Sequence, residues 1–517
     1  MKKLKLVCVA IAMACATPTL AGGLLTNTNQ HVAFNRMMSR EASIGIDGVY
    51  YNPAGVVFMG EGHHLAINWQ LAYQTRTINN DYKLFTNNVN NPITPRDFKG
   101  KAFAPVIPSF QYAYNKGKWS FQANFALTGG GGKCTFDDGL GSFEKIVAET
   151  AIAACQLAGA VDQVAGAYNV PAIFSSNQCF GTEGKYSYNS YMHGRQYYYG
   201  LSAGAAYKFS DNFSAFLGVR GVYALTNYYG YVENIQVGQM PLYKVLNPAK
   251  ESSANIELSC DQSGVGFTPI IGLDYKTGRW NFSAKYEFKT RIRLKNKSVN
   301  QIPSIGNLPD NLRNAYIANG VPEAAADAIL SNPKIQGAMV ALKTQFDSKI
   351  DGAIGEYGDG KKIAGDIPAY LALGVGYSPV DAVRVNVGFH WFDDKNATSY
   401  NNRNKELKRG TLEYNAGVEV DVNKKITLST GWQNTNYGLS DEYMDDKSFV
   451  VSSNSVAIGG VYHINKKMDL NVAYFHTFYQ HKKTSEKVQL TAEKSINYSS
   501  DYTRNNNVFA VGLDINF

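Results

Sequence analysis

What most constrains this chain is the rhythm of its connections. From about His64 to Phe517, short strand-like runs are joined alternately by tight turns and by long polar stretches. The tight turns are Asn115-Lys116-Gly117-Lys118, Ser210-Asp211-Asn212, Lys276-Thr277-Gly278-Arg279, Ser378-Pro379-Val380-Asp381, Asn423-Lys424-Lys425 and Asn465-Lys466-Lys467. A soluble up-and-down sheet has no reason to gather its long loops at one end. A barrel threaded through an outer membrane does: its periplasmic rim carries short turns and its outer rim carries large loops.

The runs between the turns alternate. In Val383 to Phe392, Val383, Val385, Val387, Phe389 and Trp391 share one face, and Arg384, Asn386, Gly388 and His390 share the other. Leu412 to Val422 and Trp280 to Arg291 repeat the pattern. Each supplies an apolar face for lipid and a polar face for a lumen. Read this way, strands are expected near 64–78, 105–115, 118–129, 196–209, 213–228, 263–276, 280–293, 366–378, 382–393, 410–422, 426–437, 451–463, 468–480 and 504–517. The fold class expected is all-β, a transmembrane antiparallel β-barrel of about 14 strands. No run of about 18 apolar residues occurs, which excludes helical spanning. A mean hydropathy of −0.26 with 34 Tyr and 48 Gly fits a wall whose two faces average out. The last strand ends in the aromatic Phe517 after Phe509, Val511, Leu513 and Ile515. This resembles the signal by which the barrel-assembly machinery recognises its clients.

Residues 1–21 read as a signal peptide: Lys2, Lys3 and Lys5, an apolar core from Leu6 to Ala16, and a Thr19-Leu20-Ala21 cleavage site. Its removal lowers the net charge of +8 by three lysines, too mild and too evenly spread a balance to imply nucleic acid. Cys134, Cys155, Cys179 and Cys260 remain, all in expected outer loops and in an oxidising compartment. They are candidates for one or two disulfides with the pairing open. Their spacing matches no zinc pattern, and no cofactor or metal is expected. Gly200-Leu201-Ser202-Ala203-Gly204 has the spacing of a nucleophile elbow but sits inside an alternating strand, so no catalytic residue is assigned and no enzyme is expected.

Residues 22–62 do not read as a strand. A helix-compatible stretch from Asn29 to Ser43 precedes Tyr50-Tyr51-Asn52-Pro53-Ala54-Gly55. Such a segment is too short for an independent domain, and its economical place is inside the barrel at 63–517, as a plug. A signal peptide, a plug carrying Asn52-Pro53-Ala54, fourteen strands and a terminal Phe together resemble the FadL family of outer-membrane transporters for long-chain fatty acids and other hydrophobic compounds.

The resemblance implies uptake by passive diffusion: capture at the outer loops, a pocket against the plug, and lateral exit into the bilayer beside a kinked third strand. The partners implied are a hydrophobic small-molecule ligand and outer-membrane lipid, and a monomer is expected. The third strand here runs into Gly129-Gly130-Gly131-Gly132, which marks the expected kink. The long outer loops are placed at about 129–196, 229–262 and 294–365, with helical patterns over 143–168 and 308–350. A fatty acid carboxylate needs a cation in the lumen, and the candidates are Arg36, Arg40, Arg220, Lys285, Lys289, Arg291 and Arg384. The rival readings are a general diffusion porin, which would lack the plug, and a surface adhesin or antigen barrel working through its loops.

Overall fold

In the computed structural model, residues 24–337, 339–340, 357–490 and 494–517 are described. The signal-peptide expectation lies outside them. Fourteen antiparallel strands form one closed ring: β1 (Gly62–Tyr82), β2 (Arg96–Lys116), β3 (Trp119–Phe136), β4 (Tyr186–Lys208), β5 (Phe213–Val237), β6 (Ile256–Thr277), β7 (Trp280–Glu287), β8 (Tyr370–Val380), β9 (Val383–Phe392), β10 (Thr411–Asn423), β11 (Ile426–Asn436), β12 (Ser453–Asn465), β13 (Met468–Tyr479) and β14 (Ser495–Asn516). The seam is β14 on β1, in register from His64↔Asn516 to Tyr82↔Tyr498. Four shorter strands, Met240–Pro241, Arg293–Gln301, Lys362–Ala364 and Lys482–Gln489, add to the sheet beyond the fourteen.

The wall inverts the arrangement of a soluble core. Leu201, Leu217, Phe267 and Ile458 stand more than 60% exposed on the outside, while Asn68, Gln111, Asn124, Glu287, His390 and Asn471 are buried within. Aromatic rings gather at the short-turn rim, where Trp119 packs on Tyr207 and Trp280 stacks on Tyr377. Such a girdle belongs at a lipid–water boundary. Among the described residues no helix is long and apolar enough to cross a membrane; the crossing elements are strands.

Several strands run further outward than the alternation indicates. β2 starts at Arg96 instead of 105, β3 ends at Phe136 instead of 129, β4 starts at Tyr186 instead of 196, and β5 ends at Val237 instead of 228. Above the hydrocarbon the outward face no longer has to be apolar, so the period-2 contrast fades although the ladder continues. The outer loops are shorter in consequence. Cys134 and Cys260 therefore lie on β3 and β6, not in loops, and all four cysteines are buried free thiols.

The described part of the plug runs from Leu24 through the lumen up to β1. The helix expected over 29–43 is reduced to α1 (Val32–Met37), followed by α2 (Gly48–Tyr51) and a 3-10 turn at Gly55–Phe58. His31 caps α1 by accepting from the Ala33 amide at 2.9 Å, and Met38 ends it at φ 61°. The helix stops there because the Met37 carbonyl already lies against the wall, over Gly417 and Gly431, which face each other on β10 and β11. At the outer rim, α3 (Gly141–Gly166) matches the pattern over 143–168. A short α4 (Tyr243–Leu246) follows in the next loop. The pattern over 308–350 splits into α5 (Leu308–Ala318) and α6 (Glu323–Leu330), because Gly320 at φ 80° and Pro322 interrupt it; residues 341–350 lie outside the described chain.

A side chain at Gly431 would overlap the Met37 carbonyl. Gly431→Val is expected to leave the ring assembled, as heat-modifiable electrophoretic mobility would report, while displacing the plug. Ion conductance in planar bilayers should then rise by about tenfold or more, because an unplugged lumen is water-filled.

Candidate ligand site and passage

The plug is tied to the wall by buried ions. Arg36 pairs with Glu419 and donates to Asn471 Oδ1 at 3.2 Å. Arg40 reaches Glu419 of the wall at 3.6 Å and pairs within the plug with Asp47 at 2.7 Å. Glu41 contacts His390 at 2.7 Å, and His390 also meets Glu413 at 2.9 Å. Across the lumen, Glu287 holds both Arg220 at 2.6 Å and Lys285 at 3.0 Å, and Lys285 sits 3.8 Å above the Tyr50 ring. Arg384 is shared by Glu419 at 2.6 Å and Asp421. Of the seven lumen cations singled out from the sequence, Arg36, Arg40, Arg220, Lys285 and Arg384 are thus committed to carboxylates. Lys289 donates to the Asn396 carbonyl at 3.1 Å, and Arg291 is exposed on the outside of the ring.

Asn52-Pro53-Ala54 is an anchoring corner. Asn52 Nδ2 donates to Asp274 at 2.6 Å while its Oδ1 accepts from the Gly55 amide at 3.1 Å. The Pro53 carbonyl accepts from Gln122 at 2.7 Å and the Ala54 carbonyl from Ser214 at 2.7 Å. Three wall strands, β3, β5 and β6, therefore grip one turn. Ser202 of the nucleophile-elbow spacing lies within β4 and accepts from Arg220 Nε at 3.1 Å.

The wall ladder is interrupted twice. One interruption lies between β6 and the chain after β7, where pairing ends at Ile270↔Glu287 and resumes at Ser263↔Lys295, with the Phe288 amide still donating to the Pro269 carbonyl at 3.0 Å. The other, over a longer stretch, lies between β2 and β3. β2 and β3 pair from Lys116↔Trp119 to Phe110↔Phe125, lose one another, and resume only at Ala102↔Cys134. Residues 103–109 and 126–133 therefore face each other without a ladder. On its other side β3 stays on β4, with register shifts between Leu127 and Gly129 and between Gly130 and Gly132. Gly130 and Gly132 adopt φ of 74° and 118°, angles that favour glycine and permit the bulges. The run of glycines coincides with these two register shifts. The plug occupies part of the break: the Asn27 amide donates to the Thr128 carbonyl at 3.0 Å, Asn27 Nδ2 to the Gly130 carbonyl at 2.7 Å, and the Gly130 amide to the Leu25 carbonyl at 3.2 Å. Behind it, Phe34, Tyr50 and Tyr51 of the plug form one apolar cluster with Ile107 and Leu127 of the two lips.

Two cavities lie on the outer side of the plug. The outer one, of ≈ 130 Å³, is walled by α3 (Val147, Leu157, Val161) with Phe174, Ile256 and Leu308, and no charged side chain lines it. Its roof is held by buried Glu144 of α3, which takes Arg96, Asn88 at 2.8 Å, Tyr186 at 3.0 Å and Tyr188 at 3.1 Å. The inner one, of ≈ 150 Å³, lies against Leu24 and Leu25 at the start of the described plug and is rich in Tyr, including Tyr198, Tyr228 and Tyr443. Arg403 is its one lining cation. The Arg403 guanidinium donates to the Tyr443 carbonyl at 3.0 Å and the Ser448 carbonyl at 2.8 Å, stacked 4.5 Å from the Tyr443 ring. Sequence reasoning missed Arg403 because it lies in an irregular loop, where alternation gives no inward or outward sense. On the periplasmic side a more open, polar vestibule of ≈ 680 Å³ reaches Arg40, Arg384 and Glu419; the other five cations singled out line none of the three.

No protein-family model and no curated sequence matches this chain. Solved structures do. A FadL homologue of Pseudomonas aeruginosa superposes with a TM-score of 0.59 at 14% identity, covering 96% of this chain and 100% of its own. A deltaS2S3 mutant of the monoaromatic hydrocarbon channel TodX superposes with a TM-score of 0.52 at 14% identity and the same coverage. The fold is therefore the plugged 14-strand barrel of FadL-type proteins.

Asp394 ties the inner cavity to the plug, accepting from the Leu24 amide at 3.3 Å and the Thr411 amide at 2.9 Å. Burial at the outer rim pushes its carboxyl up to about 6. The native state then keeps a proton that the unfolded chain has released, so this stabilising contribution is complete below about pH 4 and is lost as pH rises through about 6. Asp394→Asn should therefore be more stable than the parent at about pH 8 by up to about 3 kcal/mol, with the difference vanishing near pH 4. Thermal unfolding in detergent followed by circular dichroism across that range measures it, and a gap independent of pH would contradict it.

Proposed function

We propose that this protein is a bacterial outer-membrane channel for hydrophobic small molecules, which enter at the outer loops and leave sideways into the bilayer through the break between β2 and β3. The observation that carries this is the β2–β3 break itself, the longer of two interruptions of the wall ladder and the one into which the start of the described plug pairs its backbone. Unpaired backbone in hydrocarbon is costly, by several kcal/mol for each unsatisfied group, so a wall that forgoes its ladder there needs a reason. The apolar outer cavity serves capture, the inner cavity holds the ligand above the plug, and the lips expose Phe103 and Val106 to lipid. Movement is passive, by a monomer, and no catalytic step is part of it. The ion-tied plug argues against a general porin.

A fatty acid would enter the inner cavity, at ≈ 150 Å³, only by its headgroup end. Its carboxylate would rest on Arg403 Nη1, the nitrogen not engaged by the Tyr443 and Ser448 carbonyls, as a charge-assisted contact. A neutral hydrocarbon is the reading that the outer cavity favours. Its lining is uncharged, and a dry apolar cavity of about 150 Å³ holds a benzene-sized ligand. Arg403→Gln separates the two. It should weaken oleate binding by about tenfold or more, as expected for losing a charge-assisted pair, and leave toluene binding unchanged. Equal loss for both would assign Arg403 a structural role.

The lateral route is tested by closing it. A Cβ at Gly132 would lie 3.5 Å from Ala104 Cβ across the break, within disulfide range. In a Cys134→Ala background, Ala104→Cys with Gly132→Cys should on oxidation abolish transfer of labelled oleate and toluene into liposomes, and reduction of the same sample should restore it. A small sugar should not pass in either state. Undiminished transfer after complete crosslinking would sink the lateral exit, and sugar flux would make the protein a porin.

A further inference from the structure

The outward face carries a second feature at the upper end of the break. Following each strand from the periplasmic rim, the continuous run of large apolar outward residues ends at Tyr73 on β1, Phe103 on β2, Tyr197 on β4, Leu225 on β5 and Val265 on β6. Beyond the polar positions that follow on β4 and β5 stands a cluster of tyrosines, Tyr191, Tyr229 and Tyr231. The outward positions directly after each run are Thr75, Lys101, Arg195, Asn227 and Ser263. The sheet register links these positions independently of hydropathy: Thr75 faces Lys101, Lys101 faces Thr135, Lys133 faces Arg195, and Arg195 faces Asn227. The row is staggered by two residues on β3, where Lys101 faces Thr135, and on β6, where Asn227 faces Asp261, and it marks the outer edge of the hydrocarbon, where headgroups begin.

On β2, β3 and β4 that row is cationic. Lys101, Lys133 and Arg195 are all exposed, and among the described residues none of them forms an ion pair. Lys133 and Arg195 stand directly opposite, a like-charge pair that disfavours the ladder unless an anion lies between. Nearby acids are otherwise engaged: Asp97 with Asn79 at 2.7 Å and Lys99 at 3.3 Å, and Asp261 with Asn227 at 2.8 Å and across from Lys297. Lys101 and Lys133 also stand on the two lips, just where the β2–β3 ladder resumes above the break.

We propose that Lys101, Lys133 and Arg195 bind the phosphate headgroup of an outer-leaflet lipid, which bridges the lips and lays its acyl chains over the break. Arg offers a planar fork to phosphate and Lys a compact charge, and basic residues at a membrane surface are where anionic headgroups collect. The lipid seals the opening in the resting protein and is what a departing ligand displaces. The site rests on the outward face lying in a membrane and not on what crosses the break, so lipid binding is read without any transport measurement.

The test is native mass spectrometry of the detergent-solubilised full chain titrated with dioleoyl phosphatidic acid or dioleoyl phosphatidylcholine. The parent should bind the phosphate monoester at least about tenfold more tightly, consistent with three basic groups at one surface. Lys101→Gln/Lys133→Gln/Arg195→Gln should erase that preference. Lys424→Gln/Lys425→Gln/Lys466→Gln, equal in charge change but on periplasmic turns, should keep it, as should the charge-conserving Lys101→Arg/Lys133→Arg/Arg195→Lys. Heat-modifiable mobility verifies that every variant is folded. No preference in the parent, its survival in the first triple variant, or equal loss in the periplasmic one overturns the proposal. Displacement by millimolar inorganic phosphate alone would overturn it too, showing a soluble-anion site in place of a lipid one.

Discussion

A sheet inside a bilayer must pair every backbone donor and acceptor with itself, because hydrocarbon offers no replacement. Closure into a ring satisfies that demand, and β14 on β1 completes it here over nineteen register positions from His64 to Tyr82. The ring departs from this demand most widely between β2 and β3. Where β2 and β3 separate, the exposed backbone of β3 is taken up by Leu25 and Asn27, so the start of the described plug works as a fragment of wall. The plug thus does two jobs with one segment: it obstructs the lumen and it completes, from within, the ladder that β2 abandons.

A segment with that task must be held firmly, and the buried ions do so. Desolvating a charge is expensive, and removing one member of a buried pair leaves the other stranded at a cost of about 3–5 kcal/mol. Arg36–Glu419, Arg40–Glu419 and Glu41–His390 are all buried. They are therefore better read as registry devices than as net stabilisers: they define one seating of α1 and penalise every other. The Asn52-Pro53-Ala54 corner acts alike through hydrogen bonds to three strands. With α1 and the corner fixed, residues 24–27 are the part of the plug attached mainly by backbone pairing and by Asp394, the least costly attachment to exchange.

Much of the fold could be read from residue order, and for identifiable reasons. Val383 to Phe392 matches β9 to the residue and Leu412 to Val422 falls within β10, because both strands cross hydrocarbon on one face and lumen on the other, which maximises the contrast between neighbours. The six tight turns sit on one rim because their geometry is local. The glycines at 129–132 stand at the two β3–β4 register shifts because positive φ, taken by Gly130 and Gly132, selects glycine. What could not be read depends on distant partners. Arg36 and Glu419 are separated by 383 positions, so a lumen cation and a committed salt bridge look identical in sequence. The outer extensions of β2, β4 and β5 escaped notice because polar residues such as Lys101 and Arg195 occupy both sides of the pleat above the lipid.

The uneven strand lengths have a consequence for where a ligand can rest. β8 to β13 span ten to thirteen residues, whereas β1, β2 and β4 to β6 span twenty-one to twenty-five. At about 3.3 Å per residue, one flank of the ring stands some 30 Å taller along its strands than the other. A wall raised on one flank needs a counterweight of packed side chains, and α3 with the loops after β5 and β7 provides it, enclosing the apolar outer cavity between them. The inner cavity lies against β4, β5 and β6 of the same tall flank, and the break between β2 and β3 belongs to it as well. On the proposed route, capture, holding and exit would be stacked along one side of the ring, and a hydrophobic molecule following it would never cross the ion-paired centre of the plug.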